Sequence, residues 1–315
     1  MSVIFEDLKY PSANGKDTIV ASVWRDDAAQ PVGIMQIVHG MNEYMGRYDG
    51  FARFLAERGY IVCGNDHVGH GRSKGADGYG YFADKDGEKV LIDDTRRMNE
   101  IITGKYPGLK VVMLGHSMGS FICREYITKY GEELAGIIIS GTAGPNPSLG
   151  VASFLSRMIM IFCGPKHPSP MMCNLAFGKY NDRYPEKRTK YDWISRDTAV
   201  VDKYAHDEMC TYYFTAGGYH DLLKLIKSIS SPDWAQKIPK DRPYLVFSGS
   251  MDPVGDYTKG VQAVCDSMKA AGVKDMTVHF YEGGHHEMLN DIERDKVYAD
   301  VIGWADKAVG ANRNA

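Results

Sequence analysis

Two hydrophobic rhythms run along the chain of 315 residues. Residues 3–10 and 18–25 alternate apolar with polar positions and flank the turn-forming run Ser12-Ala13-Asn14-Gly15-Lys16, which predicts an antiparallel hairpin at a sheet edge. Residues 32–38 form an apolar run suited to a strand covered on both faces. Helical spacing over 48–58 (Phe51, Phe54, Leu55) stops at Gly59, and 60–63 reads as another short strand. A helix over 90–103, a strand over 111–114, a helix over 121–130 and a strand over 135–140 follow. The same alternation returns with strands at 243–247 and 276–281 and helices at 257–271 and 291–308. Regular exchange of strand and helix predicts an α/β fold with a mainly parallel sheet.

Between 142 and 229 the rhythm breaks into proline-glycine turns, a strongly apolar run at 151–163 and a polar, aromatic segment at 179–193. The stretch is too long for a structureless loop, so it predicts a helical cap or lid (142–229) inserted into a core made of 1–141 and 230–315. The apolar run suits a buried helix, a surface that touches lipid, or both. Burial against the core is the expectation, because Met and Leu at helical spacing are ordinary core material.

Charge and cysteines exclude some partners. A net charge of −3 offers no basic footprint for nucleic acid or anionic membrane. No apolar run approaches the ~18 residues that span a bilayer, and residues 1–16 lack the pattern of a signal peptide. Six cysteines scattered without C-x-x-C spacing point to reduced thiols and a cytoplasmic protein.

The chemistry centres on Gly115-His116-Ser117-Met118-Gly119, between a predicted strand and a predicted helix. Gly-x-Ser-x-Gly there is the pattern of a nucleophile elbow, although a glycine-rich turn capped by Ser117 would read similarly. Asp252 and the pair His285-His286 lie beyond two later predicted strands, along the edge where open α/β sheets collect their sites. The order Ser, Asp, His is that of an α/β-hydrolase. A serine hydroxyl needs an imidazole to take its proton, and the imidazole needs a carboxylate to fix its tautomer. Asp252 suits the last role; His285 and His286 both suit the second. The oxyanion needs two backbone donors, expected at Met118, directly after the nucleophile, and at Met41 in the loop after the 32–38 strand. His39, His67 and His116 fit loop bracing better than proton transfer. Two histidines beside an aspartate in residues 65–73 raise a metal site, but the spacing follows no common zinc pattern. Neither a metal nor a cofactor is expected.

With these residues in place the chain resembles the monoacylglycerol lipase and lysophospholipase branch of the α/β-hydrolases. The resemblance is carried, in order, by His39-Gly40-Met41-Asn42-Glu43 with Arg47-Tyr48, Asp66-His67-Val68-Gly69-His70-Gly71-Arg72-Ser73, the elbow, Gly249-Ser250-Met251-Asp252 and Tyr281-Glu282-Gly283-Gly284-His285-His286. It implies that the base is His286, in the last position of Tyr-Glu-Gly-x-x-His, and that the core sheet has eight strands, with the cap inserted after Ser140. It also implies cleavage of carboxylic esters through an acyl-enzyme, on a small-molecule acyl ester such as a monoacylglycerol or lysophospholipid. Phe154, Leu155, Met158, Met171 and Phe214 are the expected acyl-pocket residues, with Phe162, Met172 and Phe177 as further candidates, and the cap is a candidate for transient contact with a lipid surface. A prolyl-type aminopeptidase or amidase is the alternative; it would need cap carboxylates such as Asp182, Glu186 or Asp207 to hold an ammonium group. A noncatalytic sensor on the same fold is disfavoured by the complete Ser, Asp and His set. Dehalogenase and epoxide hydrolase chemistry would need an aspartate where Ser117 stands.

Overall fold

The structure, a computed structural model, describes residues 3–184 and 186–311. In chain order the elements are β1 (Val3–Pro11), β2 (Thr18–Asp26), β3 (Gly33–Val38), α1 (Asp49–Ala56), β4 (Tyr60–Asn65), α2 (Gly87–Lys105), β5 (Val111–His116), α3 (Met118–Tyr130) and β6 (Gly136–Ser140). There follow α4 (Leu149–Cys163), α5 (Pro170–Phe177), α6 (Thr198–Ala205), α7 (Ala216–Ile229), α8 (Trp234–Lys237), β7 (Tyr244–Gly249), α9 (Lys259–Ala270), β8 (Met276–Tyr281) and α10 (Arg294–Val309).

The strands form one eight-stranded sheet in the order β1-β2-β4-β3-β5-β6-β7-β8. β1 pairs antiparallel with β2, from Val3 opposite Asp26 to Pro11 opposite Thr18, and β2 pairs antiparallel with β4. From β4 to β8 every pairing is parallel. The hairpin is therefore the edge, as its alternation predicts.

The apolar runs are explained by burial on both faces. Val111 and Met113, Ile137 and Ile139, and Tyr244 and Val246 pack into one core, with residues of α2, α3, α7 and α9. Their neighbours Val112 and Leu114, Ile138, and Leu245 and Phe247 pack into the other, with α1 and α10. Gln36 is the polar exception inside β3. Its amide donates to the Thr95 carbonyl at 2.9 Å and its oxygen accepts from Asn99 at 2.8 Å, so burial leaves it satisfied.

The stretch between β6 and β7 carries α4 to α8. It is not uniformly separate from the core: Tyr219, Leu222, Leu225 and Ile229 of α7 join the first core. α4 departs from its expected burial. Ser156 is its one fully buried residue, Ala152, Leu155 and Ile159 pack partly against the core, and Val151, Phe154, Ile161 and Phe162 point outward at 62–78% exposure. Among the described residues no helix is long and apolar enough to cross a membrane.

Candidate active site

Ser117 sits where β5 turns into α3, with φ +53° and ψ −123°. A non-glycine residue held there costs roughly 1–3 kcal/mol, which surrounding contacts must enforce. Three hydrogen bonds do so: the Ser117 N–H donates to the Ser140 carbonyl at 2.9 Å, and its carbonyl accepts from the Ser120 N–H at 2.8 Å and the Ser120 hydroxyl at 2.6 Å. The flanking glycines are steric necessities. A Cβ on Gly119 would lie 1.9 Å from the Val38 carbonyl oxygen, and one on Gly115 would lie 2.5 Å from that of Gly119.

Asp252, in the turn after β7, is fully buried. Its Oδ1 accepts from the Val254 N–H at 2.9 Å, and its Oδ2 lies 3.1 Å from the Ser248 hydroxyl and 2.9 Å from His286 Nδ1. A carboxylate at Nδ1 keeps the proton on that nitrogen and leaves Nε2 free as an acceptor. Burial alone would lower the His286 pKa, but Asp252, with Glu287 and Glu43 behind it, reverses this and the net shift is upward. Its neighbour His285 is turned elsewhere, with Nδ1 2.9 Å from the Asp192 carbonyl. The imidazole of His116 lies 4.7 Å from that of His286, centroid to centroid, and 3.2 Å from the Ser140 hydroxyl; burial and then His286 push its pKa down to about 3. It stays neutral.

The loop after β3 closes on the elbow. A Cβ on Gly40 would fall 2.9 Å from that of Ser117, and the Gly40 N–H donates to the Glu43 carboxylate. Met41, next in sequence, faces the same cavity as Ser117 and His286. Met118 is the first residue of α3, so its N–H has no acceptor within the helix and lies at the positive end of the helix dipole. His39 and His67 brace this loop from below: the His67 N–H donates to His39 Nε2 at 2.9 Å, and their rings pack at 4.1 Å.

Above Ser117 and His286 opens a cavity of about 460 Å³. Its walls come from Phe177 of α5, from Tyr191, Trp193 and Ile194 in the following segment, and from Tyr204, Cys210, Tyr212 and Tyr213.

A family model described as serine aminopeptidase, S33 matches residues 29–293. A monoacylglycerol lipase of Mycolicibacterium smegmatis is 30% identical, over 91% of this chain and 92% of its own length. The chain belongs to this family. Human monoglyceride lipase is similar at 25% identity, over 97% of this chain and 92% of its own. A thermostable carboxyl esterase from Bacillus coagulans, solved in complex with glycerol, superposes with a TM-score of 0.91 at 29% identity, covering 98% of this chain and 100% of that one. The protein is an α/β-hydrolase of the monoacylglycerol lipase-like branch and a carboxylic ester hydrolase.

In this hydrolase the five expected acyl-pocket residues do not line the cavity. Phe154 and Met171 face outward at 62% and 52% exposure, and Leu155 packs against the core. Met158 lies on α4, which contributes nothing to the cavity wall. Phe214 is fully buried among Phe82, His70 and Tyr219. Of the further candidates Phe177 alone reaches the cavity.

One buried cluster at the cavity wall joins Glu43, Arg47 and Tyr48, which the resemblance names only as motif residues, to Glu287. Arg47 grips Glu287 with both terminal nitrogens, at 2.5 and 2.7 Å, and reaches Glu43 at 3.3 Å. Glu43 also accepts from the Tyr48 hydroxyl at 3.0 Å. Burial, then Glu287, pushes the Glu43 pKa up to about 7. Glu43 braces Gly40 and Glu287 follows His286, so Arg47 ties the Met41 loop to the His286 loop. The signal available was Glu43 and Arg47 at helical spacing, which reads as an ordinary surface pair.

Proposed function

We propose that this hydrolase cleaves its ester through an acyl-enzyme on Ser117, with His286 as base and Asp252 as the carboxylate that orients it. The observation that carries the reading is Ser117, on its left-handed turn, sharing one cavity with a histidine whose Nδ1 is held by a buried carboxylate. Nε2 of His286 takes the Ser117 proton during attack and returns it to the leaving alcohol. The Met41 and Met118 N–H groups receive the oxyanion; each such donor is worth roughly 10²- to 10³-fold in rate.

The substrate class we propose is a monoacylglycerol or a comparable ester with one acyl chain, lysophospholipids included. Phe177, Trp193 and Ile194 offer an apolar wall, and about 460 Å³ suits a single chain with a small head group. The names of the relatives support this, as does glycerol in the Bacillus coagulans esterase. An aminopeptidase would need a carboxylate free for an ammonium group. Glu43 and Glu287 are engaged by Arg47, Asp182 lies 3.5 Å from Lys187, and Asp207 accepts from the Tyr44 hydroxyl. Turnover of monoacylglycerols of graded chain length, a lysophosphatidylcholine and a proline naphthylamide should give the highest kcat/KM on a monoacylglycerol. The naphthylamide should lie about 100-fold lower or more, since among the described residues the carboxylates that line the cavity, Glu43, Asp182 and Glu287, are already paired and Glu186 is not part of its wall. The reverse order would overturn the ester reading.

We assign 142–229 as the cap and the cytoplasm as the compartment, the latter on the scattered thiols. The outward side chains Val151, Phe154, Ile161 and Phe162, with Met171 and Leu175 of α5, form the surface for transient contact with lipid. Co-sedimentation with phosphatidylcholine vesicles should fall several-fold in an Ile161→Ser, Phe162→Ser variant. Equal sedimentation of variant and wild type would remove the assignment.

A further inference from the structure

The inserted stretch meets the rest of the molecule in two different ways. α4 leaves much of its apolar surface outward, whereas Tyr184 and residues 192–196 are bonded to the loops that carry Asp252 and His286. The Tyr184 hydroxyl donates to the Met251 carbonyl at 2.6 Å, and its ring lies 4.4 Å from that of His285, centroid to centroid. Three consecutive carbonyls then meet three consecutive residues of the base loop. Asp192 O lies 2.9 Å from His285 Nδ1, Trp193 O accepts the His286 N–H at 3.2 Å, and Ile194 O accepts the Glu287 N–H at 2.8 Å. The Trp193 ring also lies against that of His286, with centroids 5.1 Å apart.

One ion pair anchors the end of this segment. Arg196 Nε donates to Asp291 Oδ1 at 2.8 Å, the Arg196 backbone N–H donates to Asp291 Oδ2 at 3.1 Å, and a terminal nitrogen reaches Glu293 at 2.6 Å. Beside it the Ser195 hydroxyl donates to the Asn290 carbonyl at 3.0 Å. Asp291 has no exposed surface, so its carboxylate depends on this guanidinium and main-chain donor. The planar fork also sets direction, which a point charge would not.

We propose that Arg196 is a positioning residue for His286: paired with Asp291, it clamps residues 192–196 onto the base loop. The inference rests on His286 as the base. It makes this part of the insertion a fixed wall of the site, so an opening of the insertion that leaves the site assembled must bend before Tyr184.

The test is kcat, KM and the pH profile on a soluble nitrophenyl ester, with melting temperatures, for Arg196→Met, Arg196→Lys, His286→Ala and the double variant Arg196→Met, Asp291→Asn. Arg196→Met should lower kcat by about 10- to 100-fold with KM changed less than about threefold, as expected for a small misplacement of a catalytic group. The groups facing His286 are Asp252, Glu287, Glu43 and His116. With the wall loosened, water weakens their hold, and the acid limb of the profile moves toward the ordinary histidine value. Arg196→Lys keeps the charge without the planar fork, so it should recover melting temperature but only part of kcat. The double variant leaves no unpaired buried carboxylate, so it should recover melting temperature without recovering kcat. Wild-type kcat and pH profile in either Met variant, or recovery of kcat together with stability in the double variant, would overturn the inference. An active His286→Ala would instead remove the base assignment; an inactive one beside an unimpaired Arg196→Met removes only the clamp.

Discussion

Ser117→Ala is expected to lower kcat on a nitrophenyl ester by at least about 10⁴-fold, because the acyl-enzyme then has no atom on which to form. The fold should survive. The structural bonds of Ser117 run through its backbone, to Ser140 and Ser120, and alanine keeps both. Alanine at φ +53° carries the same backbone strain as serine, so the melting temperature should stay near that of the wild type. In the proposed mechanism residual turnover would come from the cavity and from the Met41 and Met118 N–H groups, which would still bind and polarise a carbonyl. A fluorophosphonate should label wild-type Ser117 at one equivalent and leave the variant unlabelled. Wild-type hydrolysis by the variant, or labelling at another residue, would remove Ser117 from the mechanism.

The core was legible because strands covered on both faces concentrate apolar residues in short runs. Residues 32–38, 111–114, 135–140 and 243–247 all fall on such strands, and β1 and β2 follow from their alternation. α9 begins at Lys259, later than its periodicity from 257 predicts. Asp256, Tyr257 and Thr258 all have positive φ, at 47°, 54° and 79°, with no glycine among them to mark the turn. The cavity wall was illegible for a different reason. Apolar periodicity shows that α4 has a side to cover but not what covers it, and the cavity wall comes from Phe177, from the polar, aromatic segment around Tyr191 and Trp193, and from Tyr204 to Tyr213, none of them on α4. His285 and His286 are equivalent as sequence neighbours. The Asp192 carbonyl engages one and Asp252 the other, a distinction made by chain segments 93 and 34 residues away. Glu287 likewise meets Arg47 across 240 residues, which no local pattern records.

Asp252→Asn should cost on the order of 10⁴-fold in kcat, and the surrounding donors specify why. Oδ1 is held by the Val254 N–H at 2.9 Å, so the amide oxygen of an asparagine is drawn to that position and its NH₂ to the position of Oδ2. That is the atom 2.9 Å from His286 Nδ1. Ser248, whose hydroxyl can rotate to accept, does not oppose this arrangement. The ring must then accept at Nδ1 and carry its proton on Nε2, which leaves it unable to take a proton from Ser117. The lost charge has a second reading in pH. In the proposed mechanism attack requires neutral His286, whose pKa is raised above the ordinary 6.5 because Asp252 outweighs burial. Wild-type kcat/KM should therefore fall as pH drops through a value above 6.5, and in Asp252→Asn, with burial dominant, the acid limb should move to lower pH. Asp252→Ala separates the two effects. It removes the charge without presenting an N–H to the ring, so its acid limb should move in the same direction while its kcat exceeds that of the asparagine variant. An asparagine variant with more than about a tenth of wild-type kcat, or with an unmoved acid limb, would show that the buried carboxylate at Nδ1 does not govern the base.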